Sequence, residues 1–208
     1  MPRTITRNES SLFLDVGGVE FADLRASKPH STVVFRVGAS ESTGLHWHED
    51  KTEYIQVEQG HALVTIGDKT AVFGPEDGVI TIPRFVIHQY SRADATDEGD
   101  ASRDIDLRIT EWTDPNDGDK AIFFRNIISC IKDKEGGLRG SMMLLLSLFV
   151  VMYHHDNYPV LYSGPAILGS RVQLVVRRMV THGVLKVAAV VGFFAGLKGT
   201  YSEYSPLD

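Results

Sequence analysis

Between residues 12 and 112 the chain alternates short β-branched or aromatic runs with turn residues. The runs fall at 11–16, 18–24, 32–37, 53–57, 61–66, 70–73, 79–82, 88–92 and 105–112, and Gly17-Gly18, Gly67-Asp68, Gly74-Pro75 and Asp77-Gly78 stand between them. Many short strands at this spacing, punctuated by residues that supply turn geometry, predict an all-β sandwich or barrel. Residues 93–103 are acidic, small and without period, which predicts a solvated loop outside that barrel.

The period changes after Asp114-Pro115-Asn116-Asp117-Gly118. Over 119–134 the apolar residues Ile122, Phe123, Ile127, Ile128 and Ile131 recur at helical intervals, with Lys132 and Lys134 near the end and Gly136-Gly137 just beyond. That is a helix with a stop signal. A second helix is expected over 141–154 and a third over 166–197, broken near Gly183 and Gly192. The organisation is thus a β-barrel over 1–117 and a helical, apolar extension over 118–208.

Composition sharpens this division. At 208 residues, 43% hydrophobic and 23% charged, the chain is neither disordered nor fibrous. Its net charge of −6 resolves into 21 acidic and 11 basic residues in the first part against 6 and 10 in the second. The overall acidity argues against a nucleic-acid partner, since phosphate contacts need clustered cations. Cys130 stands alone, which excludes an internal disulfide and a multi-cysteine zinc site and fits a reducing compartment. The first ten residues have no apolar segment and no cleavage site, so a cytoplasmic protein is expected. The apolar runs 142–153 and 187–197 fall short of the ~20 residues of a membrane span. Helices packed on the barrel, on a second subunit in a homodimer, or lying on a membrane face all suit the extension. Arg171, Arg177, Arg178, Lys186 and Lys198 around the apolar stretches suit the last.

The chemistry is concentrated at Gly44-Leu45-His46-Trp47-His48 and onward. Two histidines at i and i+2 on an extended strand project to one face, so His46 and His48 can reach one metal ion. Glu53 opens the next strand-like run, and a hairpin would bring its carboxylate to the same ion. His88, five residues after Pro83, supplies a fourth candidate ligand. Three imidazoles and a carboxylate suit a divalent ion, Fe(II), Mn(II), Zn(II), Ni(II) or Cu(II), and in octahedral geometry leave two positions for water, dioxygen or a chelating small-molecule substrate. Alternation from His88 points Tyr90 the same way, as a hydrogen-bond donor near the metal or as a barrel tyrosine satisfied locally. Trp47 faces the other side and reads as packing. Arg36, Arg84 and Arg108 read as solvent-facing, His154-His155-Asp156 as the cap of an apolar helix, and Cys130 as a small buried hydrophobe. Gly192, Gly196 and Gly199 follow no strand and make no phosphate loop.

These residues resemble the cupin family. His46, His48, Glu53 and Gly60 fall at the spacing of its first motif, although Ser40 stands where that motif begins with glycine. Pro83 and His88 match its second motif, with Phe85 where glycine is usual and Arg92 where asparagine often follows. The resemblance implies a single-domain jelly-roll barrel with His46, His48, Glu53 and His88 as metal ligands. The whole chain, with its extension opening at Ala121-Ile122-Phe123-Phe124, also resembles the single-cupin proteins of fungal polyketide and other secondary-metabolite clusters. That likeness implies an oxidoreductase or accessory enzyme acting on a small polyketide or aromatic intermediate; the ligand set favours Fe(II), and Glu53, if released from the ion, and Tyr90 are the catalytic candidates. A metal-dependent isomerase, cyclase, dehydratase or decarboxylase, and a non-catalytic binding cupin, stay open beside it.

Overall fold

The computed structural model describes residues 3–15, 17–24, 30–94, 96, 100–162 and 170–205, with residues 170 and 171 by backbone alone. In chain order the elements are β1 (Leu12–Leu14), β2 (Val19–Ala22), β3 (Ser31–Phe35), β4 (His46–Trp47), β5 (Thr52–Gln59), β6 (Ala62–Ile66), β7 (Lys69–Phe73), β8 (Val79–Ile82), β9 (His88–Arg92), β10 (Leu107–Asp114), α1 (Asp119–Lys132), α2 (Gly137–His154), β11 (Tyr158–Pro159) and α3 (Ser170–Phe194). Each of the nine predicted runs holds a strand; Val16, at the end of the first run, and 166–169, at the start of the third predicted helix, lie outside the described residues. Alternation sets which side chains face inward. Glu53, Ile55 and Val57 of β5, Leu107, Ile109, Glu111 and Thr113 of β10, and His88, Tyr90 and Arg92 of β9 are all buried.

The strands form two antiparallel sheets, one ordered β1-β2-β3-β10-β5-β8 and the other β11-β4-β9-β6-β7. Their inner faces share one core, with Val33, Phe35, Ile55, Val57 and Ile109 from the first meeting Ala62, Val64 and Tyr90 from the second. The Phe35 and Tyr90 rings meet edge-on across it at 5.9 Å between centroids. Among the described residues neither sheet closes on itself. The expected barrel is therefore an open two-sheet sandwich, because the chain crosses between sheets through turns such as 48–51 that no ladder hydrogen bonds follow. Gly60 makes the turn from β5 to β6 at φ +75°, and a Cβ there would lie 3.1 Å from the Asp106 carbonyl oxygen. Gly60→Ala is expected to lower stability by about 1–2 kcal/mol, read as an earlier midpoint in urea unfolding.

The extension is built into this sandwich. β11 pairs with β4, placing Tyr158 opposite Trp47 and Pro159 opposite His46. A two-residue strand containing proline has no sequence period, and it was not expected. α1 forms as predicted, but its buried face is partly polar: Arg125, Asn126 and Ser129 are fully buried, while Ile122, Ile127 and Ile131 are only half-buried. Arg125 donates to the carbonyl oxygens of Thr6, Leu24 and Glu9. Asn126 accepts the Tyr201 N–H and donates to Ser205 Oγ, which ties down the chain after α3. α3 runs unbroken through Gly183 and Gly192. A helical glycine costs about 1 kcal/mol without ending a helix, and Gly192 lies where α3 crosses α2, with room for no Cβ beside Val150. The acidic loop does not hang free at its ends: buried Arg92 holds Asp94 and donates to the carbonyls of Ser102 and Arg103. Residues 95 and 97–99 of that loop lie outside the described residues.

Candidate metal centre

Gly44, at φ +72°, turns its carbonyl toward the following strand, where it accepts a hydrogen bond from His46 Nδ1 at 2.8 Å. His46 on β4 pairs directly with His88 on β9, whose Nδ1 donates to the Val86 carbonyl at 2.9 Å. His48, just past β4, donates from Nδ1 to the carbonyl of Asp156. Asp156, in the left-handed region at φ +48°, also takes the backbone N–H groups of Glu49 and Asp50 on its carboxylate. Segment 154–156, expected only to cap a helix, thus braces the turn between two ligands. Before His88, Phe85 keeps the left-handed backbone a glycine would adopt, at φ +66°, with its N–H on the His48 carbonyl and its ring beneath the Arg178 guanidinium.

Glu53 does not arrive by a hairpin. β4 and β5 belong to opposite sheets, so the carboxylate reaches the histidines across the sandwich. Its Oε2 lies 2.7 Å from His48 Nε2 and 3.2 Å from His88 Nε2, and one ligand atom from each of the four residues falls within 4.8 Å of the others. All four are buried.

A neutral imidazole that donates from Nδ1 presents a lone pair at Nε2. Three such rings therefore aim lone pairs at the point where Glu53 brings a carboxylate oxygen, and a divalent cation satisfies all four donors at once. Burial, with His88 and His48 nearby, holds the His46 imidazolium form well below its ordinary range. The structure thus contains a buried three-histidine, one-glutamate cluster capable of coordinating a divalent metal ion.

Two residues absent from the sequence reading complete the surroundings. Lys120, from the first turn of α1, places Nζ 3.1 Å from Glu53 Oε1 and 3.6 Å from Glu111 Oε2. Burial alone would raise the Glu53 carboxyl, but Lys120, His88 and the imidazole hydrogen bonds hold it well below the usual carboxylate range. Glu111, inward-facing on β10, is pushed up to about 8, by burial first and by neighbouring Glu53, against the pull of Lys120. Burial beside Glu53 thus favours the neutral, protonated form of the Glu111 carboxyl. Tyr90 donates to Glu111 Oε2 at 2.9 Å, so the structure places its hydroxyl one carboxyl removed from the ligand set. Burial, then Glu111 and Glu53, keeps that phenol protonated far above its ordinary range. Glu111 had a signal in the sequence, an acid at an inward phase of a strand. Lys120 had none, because helical phase does not reveal which sheet a helix faces.

Lys120 is held in place by its neighbour. Asp119 accepts Lys51 Nζ at 2.6 Å and His155 Nδ1 at 2.6 Å. Burial raises its carboxyl, but His155 and Lys51 outweigh it and bring the pKa to about 2. A carboxyl depressed in the folded state contributes stability that is present above its unfolded value of 3.8 and is lost as pH falls through about 2. Asp119→Asn is accordingly expected to cost about 1–2 kcal/mol near pH 6, allowing for partial exposure, and almost nothing near pH 2. Denaturant unfolding across that range checks it.

The remaining candidates fall outside the cluster. Trp47 is fully buried, stacks on Tyr158 and donates to Glu49. Arg36 pairs with Glu20 and Asp106, while Arg84 and Arg108 are exposed. Burial pushes the Cys130 thiol up to about 12. A cavity of about 250 Å³ lies between α1, α2 and Tyr201, remote from all four ligands. Beside the cluster, His48, Lys51, Lys120, Phe123 and His155 enclose only about 10 Å³.

No protein-family model matches the chain, and no curated protein matches it. Solved structures match it in part. The chain is similar to the capsular polysaccharide assembling protein CapF from Staphylococcus aureus, with 18% identity over 50% of this chain and 27% of that one, at a TM-score of 0.36. It is similar to a cupin-superfamily sugar phosphate isomerase from Silicibacter pomeroyi, with 17% identity over 45% and 57% of the two chains, at a TM-score of 0.34. It is also similar to the cupin domain of Schizosaccharomyces pombe Cnp3, with 20% identity over 50% and 63%, at a TM-score of 0.32. Each match covers less than two thirds of the other protein's length.

Proposed function

We propose that the chain is a metal-dependent cupin enzyme, an oxidoreductase of the dioxygenase type that tailors a small polyketide or aromatic intermediate of secondary metabolism. The observation that carries this reading is the convergence of three imidazole lone pairs and Glu53 Oε2 on one buried point beside Lys120 and Glu111, with Tyr90 on the far side of Glu111. His46, His48, His88 and Glu53 would hold the ion, Fe(II) by preference. When bound, it supplies Lewis acidity and, as iron, reactivity toward dioxygen. Lys120 engages Glu53 Oε1 and so leaves Oε2 for the ion. Glu111, buried beside Glu53 and held by Tyr90, favours its protonated form and would be the group that gives a proton to, or takes one from, an oxygen at the site.

A second reading has its own observation. The space beside the ligands, about 10 Å³, has room for about one water, whereas small-molecule sites run to roughly 300–1,000 Å³. On that reading the ion is structural and the protein is a binding or accessory cupin. Anaerobic Fe(II)-loaded protein exposed to nitric oxide separates the two. An iron–nitrosyl EPR signal is expected from a centre with an exchangeable position, and its absence from fully loaded protein would reassign the ion to structure. Once a substrate is identified, turnover with Zn(II) or Mn(II) under strict anaerobiosis would replace the redox reading with an isomerase or lyase.

A further inference from the structure

Thirteen of the 22 exposed large apolar side chains among the described residues lie on α2 and α3. α3 is apolar on two opposite faces. Thr181, Leu185 and Ala188 are buried against the protein, and Gly192 meets Val150 of α2. On the other side Met179, Val187, Val190 and Phe194 follow one another at helical spacing, each between 58% and 83% exposed. α2 repeats the pattern in its first half, where Leu138, Met142 and Leu145 are 78%, 64% and 52% exposed. A helix apolar on two opposite faces has one that the fold leaves uncovered, and exposed apolar patches of this kind mark contact surfaces.

The charges select what covers it. Residues 137–194 carry five basic side chains, Arg139, Arg171, Arg177, Arg178 and Lys186, against one acid, Asp156, whose carboxylate is taken by the backbone of Glu49 and Asp50. α2 and α3 themselves contain no carboxylate. Arg139 and Lys186 are exposed, and Lys186 lies one turn from Val190 on the same face. A second copy seated on this face would bring no carboxylate of its own α2 or α3 to these cations. Anionic headgroups supply that counter-charge while the acyl boundary receives the apolar side chains.

We propose that the exposed faces of α2 and α3 dock this protein on the surface of an anionic membrane. The helices lie along the surface and do not cross it. α2 is long and apolar enough for a span, yet its Val150 and Val151 sit in the folded core. α3 carries Arg177 and Arg178 in its first half, and Arg178 is held to Phe85 of the sandwich.

Co-sedimentation of the full chain with phosphatidylcholine vesicles, with and without phosphatidylserine, tests this. The protein is expected to pellet with the anionic vesicles, less so as salt is raised and less with phosphatidylcholine alone. Val190→Glu with Phe194→Glu should reduce partitioning by about tenfold or more, and Arg139→Gln with Lys186→Gln should weaken binding to the anionic vesicles and flatten its salt dependence. Melting temperature and metal content unchanged from the wild type establish that each variant is folded. Wild-type protein left in the supernatant, or variants that pellet as well as wild type, would overturn the proposal. So would a concentration-dependent dimer in sedimentation equilibrium that the glutamate variant abolishes, which would give this face to a second copy.

Discussion

His88→Ala is expected to lower affinity for a divalent ion by about a hundredfold or more while leaving the sandwich folded. The ring is 1% exposed on β9, paired with His46 and 3.2 Å from Glu53, and its removal leaves two imidazoles and one carboxylate. No described side chain outside the cluster replaces it: Tyr90 is one carboxyl away, and Lys120 is a cation. Two measurements check the result independently of any substrate. Titration with Mn(II) or Co(II) gives the affinity directly. The melting temperature gives it by linkage, since an ion at about 100 times its dissociation constant adds about 2.7 kcal/mol to the folded state, and that gain should vanish in the variant. Retention of wild-type affinity by His88→Ala would remove the cluster from consideration as a metal centre.

Arg125→Ala should be the most destabilising single substitution outside the cluster, by about 3–5 kcal/mol. The guanidinium is 1% exposed, and its hydrogen bonds end on backbone carbonyls of Thr6, Leu24 and Glu9. Truncation removes a charge-assisted bond from each of the Thr6, Leu24 and Glu9 carbonyls, at about 1–3 kcal/mol each before relaxation or water entry, with Thr6 keeping the Glu9 N–H and Glu9 lying toward the surface. With total stabilities of about 5–15 kcal/mol, much of the folded population is at risk. Arg125→Lys should recover little, because one ammonium cannot reproduce the planar fork that reaches both the turn at Thr6 and Glu9 and the carbonyl of Leu24. Chemical unfolding of both variants reads the difference, and a loss below about 1 kcal/mol for alanine would contradict the account.

These two sites divide according to what a sequence can carry. The histidines were legible because period 2 puts i and i+2 on one face, and the phase of Glu53, Ile55 and Val57 was legible for the same reason. The side of the sandwich from which Glu53 comes was not, since alternation encodes inward and outward but not which sheet. Turn residues located nine strands, whereas β11 is too short for any period and exists by pairing with β4, which itself pairs with β9. Asp156 acts on His48 through its backbone carbonyl, a group every residue has, so its identity carried no sign of the role. Helical period does not mark Arg125 as buried, because its acceptors at Thr6, Glu9 and Leu24 lie more than a hundred positions away.

The carbonyl of Asp156 on His48 joins two processes that chemistry alone would keep separate. It lies 108 positions along the chain from the ring it orients. Lys120 on Glu53 is a second such tie. Metal affinity is therefore a property of the completed chain, and by reciprocity whatever the ion contributes at the cluster it contributes equally to the seating of 119–159. Loss of the ion should loosen the extension first, detectable as hydrogen exchange at β11 and the start of α1 before it appears in β5 or β10. An ion held at the cluster would thus act as a latch between the two halves of the chain.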